Sequence, residues 1–125
     1  MNDPAIVLFA HGSREPDWAL PFERLRTLVA QQVDGESVAL AFLETMPPTL
    51  EETVARLYAR GARSIAVVPL FLGTGGHLKR DLPRILEQLR SAHSDLSLRA
   101  TPALGEIDAV LESIAEWIVK AGAPG

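Results

Sequence analysis

Four apolar runs alternate along the chain with four stretches of helical spacing. The runs cover residues 5–10, 37–43, 64–70 and 96–100. The first and third are almost wholly apolar, the pattern of strands covered on both faces. The fourth alternates Leu96, Leu98 and Ala100 with Ser97 and Arg99, which suits an edge strand. Residues 17–32 read as mostly helix, with an apolar face of Phe22, Leu25, Leu28 and Val29 and with Pro21 in the first turn. Thr49 and Glu52 form a capping box after Pro48, and Gly61 stops that second helix. Asp81 is placed to cap a third helix with the face Leu82, Ile85, Leu86 and Leu89. Ile107, Val110, Leu111, Ile114 and Ile118 mark a fourth. The order βαβαβαβα with right-handed crossovers predicts an α/β fold of three layers, αβα, around a four-stranded parallel sheet. The flavodoxin-like order 2-1-3-4 places the alternating strand at an edge and strand 1 between strands 2 and 3.

Composition narrows the function. The 125 residues fit one domain spanning 1–125. The content, 47% hydrophobic and 22% charged, is ordinary for a globular protein. A net charge of −4 argues against a nucleic-acid partner. The absence of cysteine excludes disulfides, iron–sulfur clusters and thiol catalysis. The start, Met1-Asn2-Asp3-Pro4, lacks the basic region of a signal peptide. No apolar run reaches the roughly 20 residues of a membrane helix, so no membrane partner and a cytoplasmic location are expected.

Ligands of open α/β sheets bind beyond the carboxyl ends of the strands. Strand 1 is followed there by His11-Gly12-Ser13-Arg14, strand 2 by Glu44-Thr45-Met46-Pro47-Pro48, and strand 3 by a longer segment through Gly73-Thr74-Gly75-Gly76-His77. Taken singly, a histidine in such a loop reads more readily as a hydrogen-bonding residue. Two imidazoles and a carboxylate on adjacent loops form a ligand set for a divalent transition metal. Neutral imidazole also accepts protons near neutral pH. His93 falls at the opposite edge of the sheet and reads as a surface residue. The glycines suit either an anion-binding nest or a tight turn. They are not a dinucleotide fingerprint, and no Gly-Lys-Ser/Thr phosphate loop or nucleophile elbow occurs. Arg14, Lys79, Arg80 and Arg84 gather around the histidines, either as a solvated surface or as a receptor for substrate carboxylates.

These residues resemble a known family. The first strand with His11-Gly12-Ser13-Arg14, then Ala41-Phe42-Leu43-Glu44 with Pro48-Thr49-Leu50, is similar to the small sirohydrochlorin cobaltochelatases and ferrochelatases. So are Val68-Pro69-Leu70-Phe71-Leu72-Gly73, Gly76-His77, Asp81-Leu82-Pro83 and Pro102-Ala103-Leu104-Gly105. The resemblance implies a class II chelatase, a lyase that inserts Co²⁺, Fe²⁺ or Ni²⁺ into a sirohydrochlorin-type tetrapyrrole in cobalamin or sirohaem biosynthesis. It implies no ATP and no cofactor beyond the metal substrate. The family's metal-site histidines match His11 and His77, and its acidic partner matches Glu44. Larger relatives carry two facing lobes in one chain, whereas short members pair as homodimers.

Residues and resemblance together predict a mechanism. His11, His77 and Glu44 bind the metal and take up the pyrrole protons. Arg14, Ser13, Gly75, Gly76, Lys79 and Arg80 meet the macrocycle, with apolar cover from Leu72, Leu43 and Met46. Two other readings compete: a tetrapyrrole- or metal-binding carrier of the same fold, and a phosphate-handling enzyme with His11 as nucleophile. The second lacks the arginine directly before the histidine that is common in histidine phosphatases.

Overall fold

The computed structural model describes residues 4–125, the His77 side chain excepted. Four parallel strands, β1 (Pro4–Ala10), β2 (Val38–Phe42), β3 (Ser64–Pro69) and β4 (Ser97–Ala100), form one sheet in the order β2-β1-β3-β4. The order is the one predicted, and the alternating strand β4 stands at an edge. Each strand lies within a residue or two of its apolar run.

The two sheet faces are covered differently. On one lie α2 (Leu50–Ala59) and α3 (Gly76–Ala92). There Val7, Phe9, Ala41, Ile65 and Val67 meet Leu50, Val54 and Leu57 from α2 and Leu78, Leu82, Leu86 and Leu89 from α3. On the other face α1 (Leu20–Ala30) lies over β2 and β1. Phe22 and Trp18 pack there with Leu40 and Phe42 in a smaller cluster. The outer edge of β2 is used internally: Phe42 N–H donates to the Pro48 carbonyl, and Arg26 Nε donates to the Val38 carbonyl. Such use blunts an edge against pairing with another strand.

Local chemistry sets the helix boundaries. A 3-10 turn, Pro16–Ala19, precedes α1, so the α-helix starts at Leu20 rather than near residue 17. Pro21 has no N–H to give to a residue one turn back, and in the first turn that lack costs no helical bond. The capping box of α2 forms as predicted: Glu52 N–H donates to Thr49 Oγ1 and Thr49 N–H to Glu52 Oε1. The Thr49 N–H holds the exposed Glu52 carboxyl below its ordinary pKa. Gly61 follows the end of α2 with φ +109°, a conformation that favours glycine.

Two expectations are corrected. Asp81 does not cap the third helix, because α3 begins at Gly76 with Gly75 as its cap, which places Asp81 in the second turn beside Arg84. Leu78 is buried one turn ahead of Leu82, and this packing favours the extra turn. Pro83 therefore sits inside the helix rather than at its start. The fourth helix, α4 (Asp108–Ala121), forms as predicted, but its apolar stripe does not join the core, and none of its residues is buried.

The Thr49→Ala substitution should lower stability by about 1 kcal/mol at neutral pH, the usual cost of a lost hydroxyl cap. Urea denaturation measures it. Because the folded pKa of Glu52 is depressed, its part of the box is present above the ordinary carboxylate range and is lost as pH falls through the folded value. The difference between wild type and a Glu52→Ala variant, which loses the carboxylate, should therefore shrink in acid.

Candidate functional site

The ladder that joins β1 to its neighbours continues past the strand ends. Leu43 N–H donates to Ala10 O at 2.9 Å, Glu44 N–H to His11 O at 3.1 Å, and Leu70 N–H to Phe9 O at 2.8 Å. These bonds hold the first residues of three loops side by side. Gly12 is buried with φ +98°, and a Cβ there would lie 1.9 Å from the Glu44 carbonyl oxygen. The loops after β1 and β2 are thus in direct backbone contact, and only glycine fits between them.

That contact brings His11 and Glu44 together. His11 Nε2 lies 3.3 Å from Glu44 Oε1, with the two side chains 53% and 52% exposed. His11 Nδ1 lies 3.3 Å from the Gly12 carbonyl oxygen. A neutral imidazole donates from only one nitrogen. With oxygen facing both, one nitrogen meets its neighbour lone pair to lone pair unless a proton or a cation lies between them. The geometry is that of a proton acceptor or a two-donor share of a metal site. Phe71 stands edge-on to His11, with centroids 6.4 Å apart, and edge-on to core Phe9 at 6.2 Å. It thereby ties the imidazole to the core, a role that residue type and spacing did not single out.

His77 is the second residue of α3, so it belongs to a helix and not to a loop. Its side chain lies outside the described residues. Among the described residues no group of three or more potential ligands forms, and His11 and Glu44 stand as a pair.

The other candidates divide. Arg14, Lys79 and Arg80 are exposed and, among the described residues, form no ion pair, which leaves their charges available to an anion. Arg84 instead lies 4.0 Å from Asp81. Ser13 is engaged within the rim: its N–H points across to Met46 Sδ of the loop after β2 at 3.4 Å, and its Oγ accepts from Glu15 N–H in its own loop. Met46 packs with the smaller cluster and Leu43 against the main core, so of the three apolar candidates Leu72 is the one standing open, 62% exposed. Gly75 and Gly76 begin α3, and no side chain caps its first N–H groups. A groove of about 210 Å³ runs from Pro69, Thr74 and Lys79 to Thr101 and Glu106. A larger hollow of about 520 Å³ lies along the outer edge of β2 beside Arg26, Arg56 and Arg60, and neither His11 nor Glu44 lines it. His93 caps the far end of α3 and stacks on Tyr58 with centroids 4.3 Å apart, remote from the strand-end rim as expected.

Comparison with known proteins decides the family. The CbiX family model matches residues 5–121. The chain belongs to the CbiX family. It is 40% identical over 82 residues to the sirohydrochlorin cobaltochelatase of Methanopyrus kandleri, covering 66% of this chain and 57% of that protein. It is 38% identical over 121 residues to that of Saccharolobus solfataricus, covering 92% and 90%. With several Saccharolobus islandicus relatives the match spans 62% of their length, so the matched part falls short of two thirds of the first of these relatives.

Among solved structures, the chain is similar to a CbiX protein of cobalamin biosynthesis from Marinobacter aquaeolei VT8. The TM-score is 0.84 at 29% identity, over 95% of this chain and 97% of that one. It is also similar to the sirohydrochlorin chelatase SirB from Bacillus subtilis subspecies spizizenii in complex with cobalt, with a TM-score of 0.79 at 26% identity. That match covers 94% of this chain but 50% of SirB, so the CbiX chain here spans half the length of that enzyme.

Gly12→Ala should cost well over 1 kcal/mol in urea denaturation, because it combines a left-handed φ with a backbone clash. Gly75→Ala, at φ −80° with nothing within 4 Å of the added carbon, should change stability little. Equal costs would show that the loops after β1 and β2 are not pressed together.

Proposed function

We propose that the chain inserts a divalent metal ion into a sirohydrochlorin-type tetrapyrrole, without ATP. The observation that carries this reading is the His11–Glu44 pair, held by backbone bonds at the carboxyl ends of β1 and β2 with its ring nitrogens facing oxygen. The names of the CbiX-family relatives support it, and Co²⁺ is the metal those names favour. Fe²⁺ and Ni²⁺ suit the same imidazole and carboxylate donors. The setting is cobalamin or sirohaem biosynthesis.

The metal is a substrate, and the reaction releases two protons from the pyrrole nitrogens for each ion inserted. His11, with His77 from the start of α3, holds the incoming ion and accepts those protons. Glu44 balances the charge. Arg14, Lys79 and Arg80 meet the carboxylates of the macrocycle, which lies over Leu72. The uncapped first turn of α3 adds a positive potential on that side. On one lobe His11 and Glu44 are half open to water, whereas fixed charges act most strongly where water is excluded. A homodimer, two lobes facing across one cleft, closes the site.

The test is to mix the purified protein with sirohydrochlorin and Co²⁺ and follow the visible spectrum. His11→Ala and His77→Ala should each slow insertion by about 10²–10⁴-fold, the usual contribution of a positioned acid–base group. Glu44→Gln should slow it as well, and His93→Ala should leave it unchanged. Insertion by His11→Ala at the wild-type rate would sink the assignment. Macrocycle binding without any conversion would make the protein a carrier instead.

A further inference from the structure

The hollow along β2 belongs to a part of the fold that the proposed chemistry does not use. Its floor is the outer edge of β2, its walls come from α1 and α2, and its volume is about 520 Å³. Small-molecule sites enclose roughly 300–1,000 Å³. Along an edge strand, alternate residues turn both N–H and C=O outward. Val38 and Phe42 do so in β2, since the Val38 carbonyl accepts from Arg26 and the Phe42 N–H donates to Pro48. Leu40 lies between them and faces the same way. Its N–H and C=O meet no partner among the described residues. The edge is therefore closed on either side of Leu40 and open at that one residue.

Charge in the hollow is out of balance. Three arginines line it, Arg26, Arg56 and Arg60, against two glutamates, Glu23 and Glu36, in a chain whose net charge is −4. Arg60 is paired with Glu36 at 3.3 Å. Half-buried Arg26 donates to the neutral carbonyls of Val38 and Gly35. Among the described residues neither Arg26 nor exposed Arg56 forms an ion pair. Arginine is the side chain best shaped to take a carboxylate. Ala19, Met46 and Pro47 add apolar wall.

We infer that this hollow is a binding site for a small carboxylic acid with an amide next to the carboxylate, the unit present in an acylated amino acid. The amide N–H donates to the Leu40 carbonyl, and one carboxylate oxygen accepts from the Leu40 N–H. Two directly opposed residues exchange bonds in this way in an antiparallel ladder. The second oxygen meets Arg56, and the apolar side chain lies on Ala19, Met46 and Pro47. A longer peptide gains nothing, because a strand added to a sheet edge needs successive outward groups, and Arg26 and Pro48 already hold those at Val38 and Phe42. A phosphate would satisfy Arg56 but leaves the Leu40 carbonyl and the apolar wall unused. One wall is the loop that carries Glu44. Met46 lines the hollow, its N–H donates to Glu44 O at 2.9 Å, and its Sδ faces the Ser13 N–H. An occupant therefore stands against the back of the rim.

Titration of the isotope-labelled protein with N-acetylleucine, followed by NMR, tests the site. The Leu40 N–H and Arg26 Nε–H signals should shift together along one saturating curve. Arg56→Gln should raise the dissociation constant at least about tenfold, the worth of one charge-assisted hydrogen bond. Lys120→Gln, which removes an exposed charge from α4, should leave it unchanged. N-acetylleucinamide, which lacks the carboxylate, should bind at least about tenfold more weakly. Inorganic phosphate should shift neither signal, and an acetylated tripeptide ending in leucine should bind no tighter than N-acetylleucine. The wild-type titration locates the ligand by itself, so the test does not depend on the folding of Arg56→Gln. No saturable shift at Leu40, undiminished affinity in Arg56→Gln, equal binding of the amide, phosphate shifting the same signals, or a tighter tripeptide would each overturn the inference. The titration contains no metal and no tetrapyrrole, so its outcome is separate from that of the chelatase assay.

Discussion

Backbone pairing does not stop where the strands stop, and the rim of this molecule depends on that continuation. β1 lies between β2 and β3, and its carbonyls at Phe9, Ala10 and His11 go on accepting from Leu70, Leu43 and Glu44. Loops tied to a sheet in this way lose most of their freedom, so a side chain at the first loop position inherits the precision of the strand. Gly12 completes the constraint. With no Cβ it lets the Glu44 carbonyl come closer than any side chain would allow, and the two loops lie against each other. The 3.3 Å separation of His11 and Glu44 follows from this backbone contact, since neither side chain is enclosed by packing of its own.

Much of this was legible in the sequence because it rests on local rules. Apolar runs of five to seven residues separated by helical spacing fix a parallel α/β sheet, and handedness leaves few orders for four strands. Thr49 and Glu52 announce their helix without any tertiary information. His11 and Glu44 were legible as neighbours because the strand order makes their loops adjacent. Where the sequence misled, a long-range contact outweighed a local signal. Asp81 followed by Pro83 reads as a cap and a first turn, but burial of Leu78 carries α3 back to Gly76 and moves His77 from loop to helix. Phe71 escaped notice because nothing in its type or spacing marks a ring that touches both Phe9 and an imidazole.

The fourth helix shows a different limit. Its stripe has the spacing of an ordinary core helix, and periodicity says only that such a stripe needs cover, not what supplies it. α3 and α4 are equally legible as amphipathic helices. One buries Leu78, Leu82, Leu86 and Leu89, while the other leaves Trp117 and Ile118 in solvent. A solvent-facing stripe of this size on a chain of 125 residues is a cost the folded monomer bears by itself.

The rim, too, stands open, with His11 and Glu44 half exposed. A tetrapyrrole is a broad disc, and a single strand-end rim can meet only one of its faces. The residues that would bind its edge, Arg14, Lys79 and Arg80, are exposed on this lobe, as is Leu72. The Phe71–Leu72 loop links the rim to the last helix, because one end of it lies at His11 and the other against Gly105 at the root of α4. The root of α4 is therefore joined through a single loop to the ring that stands beside His11.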